Sequence, residues 1–384
     1  MLLYPVYAVL FAETGLSAAH ISSLFAIWSV TGFVIEVPSG VWADVFSRRK
    51  LLTVAPVLTG AGFALWTFFP SYLSFAAGFV LWGAGSAMQS GTQQALVYEE
   101  LKRVGAAGAY ARLTGRAEAA STAGHLIATA LTGLALAIGG YQAVGVASVA
   151  ATLLAAAVGW TLPETRPPRG RADRTDDTDD TDDTGRSDRA GRRDPTAGAR
   201  QGHTEVLRGG LAEVRRSRSI RRVLVLVSVL TGVTAVDEFV PLLVRSTHVG
   251  PTALTLLVGL VTVGFAVGGL CAGRGTRLLA PALVIAAGCL AAGALSGRPA
   301  GIVLVAAAFA IFQWASVAAD ARLQDQISDD ARATVTSLAG LGTETVGIAI
   351  FAAYAAGSFW LGPAPLFALV AVPYVVIALL FRRD

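Results

Sequence analysis

Charge is scarce in this sequence. Of 384 residues, 15% are Asp, Glu, Lys or Arg, against 54% that are hydrophobic. A soluble domain carries about 25% charge, so this chain has too little to cover a water-exposed surface. Cysteine is scarcer still, with Cys271 and Cys289 the only two. Both lie in apolar runs, which excludes a disulfide-stapled domain and gives no zinc-ligand spacing. The sequence has no G-x-x-x-x-G-K-[ST] loop for a nucleoside triphosphate and no clustered His, Cys, Asp and Glu at metal-ligand spacing. A soluble enzyme and a fibrous protein are excluded, and no metal or cofactor is expected.

What the chain has instead is long apolar runs, with a mean hydropathy of +0.60. Crossing a bilayer takes about 20 apolar residues. Runs and breakers place spans at about 20–42, 50–69, 72–98, 108–138, 141–162, 220–245, 252–273, 278–297, 299–321, 331–357 and 362–381. A first apolar run, 1–12, reaches only about 18 Å as a helix. It reads as a truncated first span, with a start upstream of Met1. The expectation is an all-α polytopic membrane protein of about twelve helices.

Between the sixth and seventh spans the composition inverts. The stretch "RTDDTDDTDDTGRSDRAGRRD" repeats Thr-Asp-Asp over 175–183 and has few apolar residues. Such a segment buries too little surface to offset ordering entropy. The chain therefore divides into a six-helix bundle at 1–162, a disordered charged linker at 163–219 and a second six-helix bundle at 220–384. Two like halves on one linker suggest an internal duplication.

The net charge is +4 and the pI about 9.3. The bases flank spans rather than forming one stripe, so no nucleic-acid partner is expected. With a cytoplasmic N-terminus, the short inside segments carry 13 Lys and Arg, from Arg48, Arg49 and Lys50 through to Arg382 and Arg383. The outside segments carry only Arg245 and Arg298. That bias orients the chain with both termini inside, as expected of a multi-pass protein in a bacterial plasma membrane.

The end of the second span reads "EVPSGVWADVFSRRKLL". It resembles the loop signature of the major facilitator superfamily, G-x-x-x-D-(R/K)-x-G-x-(R/K)-(R/K). Gly40, Asp44, Arg49 and Lys50 match, while Val45 and Ser47 stand where a base and a Gly are usual. The resemblance implies that Gly40, Asp44, Arg49 and Lys50 form a cytoplasmic latch against the eleventh span. It also implies a cavity surrounded by spans one, four, seven and ten. The fifth span lacks the Gly-Pro pattern of many drug–proton antiporters in that superfamily, and the fourth lacks their Arg.

Deep acids are the other signal. A carboxylate at membrane depth costs on the order of 3 kcal/mol, so each needs a reason. Glu36 lies two turns inside the latch. Asp237 and Glu238 precede Pro241 in the seventh span, and Glu344 lies in the eleventh. All four are candidates for proton coupling. On an α-helix Asp237 and Glu238 would point about 100° apart, so one is expected to line the cavity and the other to pair with Arg245 or lie at the interface. Trp82, Gln89, Gln93, Gln313 and Trp314 are candidates for the cavity lining. No base lies well inside any span, which favours a neutral or cationic solute over an anionic one. A lone His125, deep in the fifth span, reads as a packing residue, with proton relay as the alternative.

These features together imply a secondary transporter of a small organic solute, monomeric and proton-coupled, with efflux favoured. Metabolite uptake or facilitated diffusion by the same fold, or a non-transporting sensor or scaffold, are the alternatives.

Overall fold

The computed structural model describes residues 1–45, 47–106, 109–162, 214–271, 278–328 and 332–381. No strand occurs among them. The first group of helices is α1 (Tyr7–Glu13), α2 (Ala18–Val45), α3 (Arg48–Phe68) and α4 (Tyr72–Arg103), followed by the stretch Tyr110–Trp160. That stretch breaks at Gly139 and Gly140, where Gly140 has φ +61°. A side chain rarely tolerates that conformation, and the break separates α5 (110–138) from α6 (141–160). The second group opens with α7 (Arg218–Val233), a 3₁₀ turn (Thr234–Phe239) and α8 (Val240–Arg245). It continues through α9 (Pro251–Leu270), α10 (Leu279–Leu295), α11 (Gly301–Gln326), α12 (Arg332–Gly357) and α13 (Pro363–Phe381).

Seven of the described helical stretches are long and apolar enough to cross a membrane, and two shorter apolar helices, Leu279–Leu295 and Pro363–Leu379, accompany them. In hydrocarbon every backbone N–H and C=O must be satisfied within the chain, which helices achieve. The surface is correspondingly apolar: Leu73, Ile138, Leu270, Phe359 and Trp360 are all exposed. Local signals set the ends. Ser47, Ser71 and Ser217 each accept a backbone N–H three residues on, capping α3, α4 and α7.

Two expectations need correction. The first apolar run is helical only from Tyr7; residues 2–6 form turns. The seventh span is not one α-helix, since Thr234–Phe239 tightens to 3₁₀ geometry ahead of Pro241. Most of the charged segment, 163–213, lies outside the described residues. A helical turn at 214–216 leads into α7.

Small residues let the helices approach closely, the usual solution where no hydrophobic force drives helices together. A Cβ on Gly62 of α3 would lie 2.8 Å from the Gly78 carbonyl of α4. A Cβ on Gly268 of α9 would lie 2.0 Å from the Ala310 carbonyl of α11. Contacts between the two groups run along three seams, α2 with α12, α5 with α9, and α1 with α8 and the 3₁₀ turn. Phe25 of α2 packs on Phe239 (5.2 Å between ring centroids) and on Phe351 of α12 (5.6 Å).

The α5–α9 seam is closed at one end and open at the other. A Cβ on Gly133 would lie 2.6 Å from Thr255 Oγ1, so the helices touch there. Ten to eighteen residues away, Gly115, Ala119 and Ala123 of α5 and Ala266, Gly269 and Leu270 of α9 instead line a cavity.

Candidate functional site

The cavity has a volume of about 890 Å³, within the range of small-molecule pockets. Its deep end is built by the 3₁₀ turn. Pro241 has no N–H, and its ring clashes with the carbonyl four residues back. The chain answers by tightening, with Val240 N–H donating to the Asp237 carbonyl. Successive side chains then rotate by about 120° rather than 100°. Both Asp237 and Glu238 line the cavity. This differs from the expectation that one acid would line the cavity while the other paired with Arg245 or lay at the interface. That base lies instead beside Glu13 and Tyr141 at the closed end.

Glu238 is held from the other half of the molecule. The Tyr7 hydroxyl of α1 donates to its Oε2, and Tyr4 lies near the same carboxylate. Tyr7 is fixed by rings on several sides: Phe11, Phe25, Trp66 and Phe79 all lie between 5.6 and 5.8 Å from it. Edge-to-face packing of this kind fixes ring orientation as well as burying area. The hydroxyl therefore projects from a rigid wall onto a carboxylate at a helix break.

Of the other residues singled out in the sequence, Gln313 of α11 lines the cavity. Trp82 does not. It stands behind Tyr4 (6.0 Å, edge-on), against Trp28 at 5.4 Å and parallel to Phe79. Gln89 and Gln93 are exposed on α4, and Trp314 is half-buried; none of the three is among the lining residues. Glu344 lies outside the cavity, on the α2–α12 seam, where its carboxylate accepts from Ser29 Oγ. Arg49 places its guanidinium 5.1 Å from the centre of the Trp160 ring, and Lys50 is exposed. Glu36, Gly40 and Asp44 lie outside the residues whose side chains are described.

The sequence reading missed Tyr4 and Tyr7 and favoured packing for His125; all three line the cavity. The tyrosines sit in an apolar run where aromatics read as packing. Only their meeting with Glu238, 231 residues away from Tyr7, gives them a role. The described lining contains two carboxylates, two phenols, an imidazole, Gln313, Thr122 and Thr262, but neither Lys nor Arg. Such a lining can exchange protons and can hold a cationic or neutral solute. Among the described residues no group of three His, Cys, Asp or Glu could hold a metal.

Solved structures with the same architecture are transporters. The nucleoside transporter NupG superposes with a TM-score of 0.70 at 13% identity, covering 99% of this chain and 94% of that one. A bacterial homolog of the human lysosomal transporter Spinster, inward-facing and occupied, gives 0.69 at 16% identity, covering 100% and 92%. A D-xylose–proton symporter gives 0.66 at 14%, covering 98% and 92%. At such identities the likeness shows the fold alone. No curated protein sequence matches significantly. The sequence profile of the Major Facilitator Superfamily matches residues 1–352, and with that match, over a two-group helical fold enclosing one acidic cavity, the chain belongs to the major facilitator superfamily.

Proposed function

We propose that this protein is a secondary active transporter that exchanges protons for a small organic solute, cationic or neutral, and that it works as an exporter. The observation that carries the reading is the Tyr7–Glu238 hydrogen bond. It joins the two halves at the deep end of the cavity, beside a second carboxylate, Asp237. A proton on Glu238 and a solute cation beside it compete for the same negative charge. By linkage, each weakens the other's binding. A site that holds one or the other, but not both, exchanges them as the halves rock about it. With an inward proton gradient, exchange of this kind drives the solute out. Gly115 lines the end of the cavity away from Asp237 and Glu238, and Arg112 and Arg116 flank it along α5. In the orientation that the basic residues favour, that end faces the cytoplasm, where a solute for export would load.

The test is reconstitution into liposomes enclosing a pH-sensitive dye, with an imposed proton gradient and a panel of cationic, neutral and anionic solutes. Solute-triggered proton flux with the cationic or neutral members, lost in Asp237→Asn and Glu238→Gln, is expected. Equilibration of labelled solute with no proton movement would overturn the coupling and leave a facilitator. Proton movement in the same direction as the solute would overturn exchange in favour of symport.

A further inference from the structure

We infer that His125 of α5 carries the proton between Glu238 and the open end of the cavity, with the Tyr4 hydroxyl as the intermediate; this rests on the proton-coupled reading above. His125 lines the cavity on the path from Asp237 and Glu238 toward Gly115. Its Nδ1 lies 3.0 Å from the Ser121 carbonyl. A carbonyl only accepts, so Nδ1 carries the hydrogen in the neutral ring and Nε2 keeps its lone pair. Nε2 has no protein partner among the described residues. The ring stands edge-on to Tyr4, 6.1 Å between centroids. Tyr4 stands edge-on to Tyr7 at 5.8 Å and lies near the Glu238 carboxylate, to which Tyr7 donates. No other imidazole and neither Lys nor Arg is in the described lining, and an imidazole can accept a proton at one ring nitrogen while the other holds its hydrogen.

The groups facing this path are Tyr4 from the turns before α1, Tyr7 of α1, and Asp237 and Glu238 from the 3₁₀ turn, with Tyr374 of α13 near Asp237. From α9 and α11 come Thr262, Phe265 and Gln313, which do not titrate. The transfer balances simply. The O–H bond of protonated Glu238 breaks as Tyr4 takes that hydrogen and gives up its own. Nε2 of His125 gains one, leaving carboxylate, phenol and imidazolium. The imidazolium then releases its proton to water at the open end. A cavity of this volume and polarity admits water between the ring and the phenol.

The experiment is a pH jump on the full chain in lipid nanodiscs, with a soluble dye reporting proton release. Wild type is expected to release a proton that Glu238→Gln lacks. His125→Asn should release the same number, more slowly on the order of a hundredfold, the low end of what a positioned acid–base group contributes. Imidazole in the buffer should restore the rate, which a structural lesion would not allow. His125→Gln serves as a second variant should the first not fold. Release at the wild-type rate in the His125 variants would overturn the relay and leave the coupling intact. If Glu238→Gln releases as many protons as wild type, the coupling and the relay fall together.

Discussion

Ser29 donates its hydroxyl hydrogen to the Glu344 carboxylate, joining α2 to α12 across the two halves of the molecule. The acid lies outside the cavity, on the seam between the halves. The exchange proposed above requires this seam to part. With Ser29→Cys and Glu344→Cys combined, oxidation should lock the seam and stop solute exchange, and reduction should restore it. Either single variant should be insensitive to oxidant. Full transport in the oxidised double variant, with the crosslink confirmed by mass, would show that the seam never opens at this level.

The closed end of the α5–α9 seam depends on the missing side chain at Gly133, where a Cβ would lie 2.6 Å from Thr255 Oγ1. Gly133→Val should wedge the helices apart at a cost of about 1–3 kcal/mol. A bias of that size shifts a two-state equilibrium about 5- to 150-fold. Alkylation of a Thr252→Cys reporter at that end should accelerate correspondingly. Unchanged labelling would mean that α5 can shift without opening.

Within the second half, Gly268 and Gly288 make a matched pair. A Cβ on Gly268 would lie 2.0 Å from the Ala310 carbonyl, whereas one on Gly288 meets nothing within 4 Å. Gly268→Ala should lower the thermal unfolding midpoint in detergent, again by about 1–3 kcal/mol of overpacking. Gly288→Ala should leave it unchanged or raise it, by about 0.4–1 kcal/mol through the unfolded chain. Equal midpoints would show that the α9–α11 approach relaxes freely.

The guanidinium of Arg49 over the Trp160 ring ties the start of α3 to the end of α6. A double-mutant cycle with Arg49→Gln and Trp160→Leu, read by the same unfolding midpoints, should give a coupling of about 0.5–1 kcal/mol. A coupling near zero would assign Arg49 to other partners alone.

The helices were the most legible part of the chain, because each is specified by a local run of about 20 apolar residues. The boundaries of α9, α10, α12 and α13 fall within a few residues of those the runs suggest. The break in the seventh span was half legible. Pro241 announces it, but whether a helix kinks, unwinds or tightens there depends on what packs against it. The cavity wall was the least legible. Trp82 and Gln89 have the right residue types and, by depth, the right level, yet one stands behind Tyr4 and the other faces outward. Rotation of a helix about its own axis decides which face meets the cavity, and hydropathy reports that rotation poorly when lipid and protein interior are equally apolar.

Composition and apolar runs alone establish that this chain is a bundle of apolar helices, which ends of those helices carry the positive charge, and that Glu36, Asp237, Glu238 and Glu344 fall within apolar runs. These follow from the cost of exposing polar groups to hydrocarbon, a cost that each residue incurs wherever its neighbours lie. That Tyr7 reaches Glu238, and that Glu344 belongs to Ser29 on a seam rather than to the cavity, follows from the packing of the folded chain. Those pairings join residues hundreds of positions apart. They depend on how helices rotate and approach, which side-chain packing fixes once the whole bundle has formed.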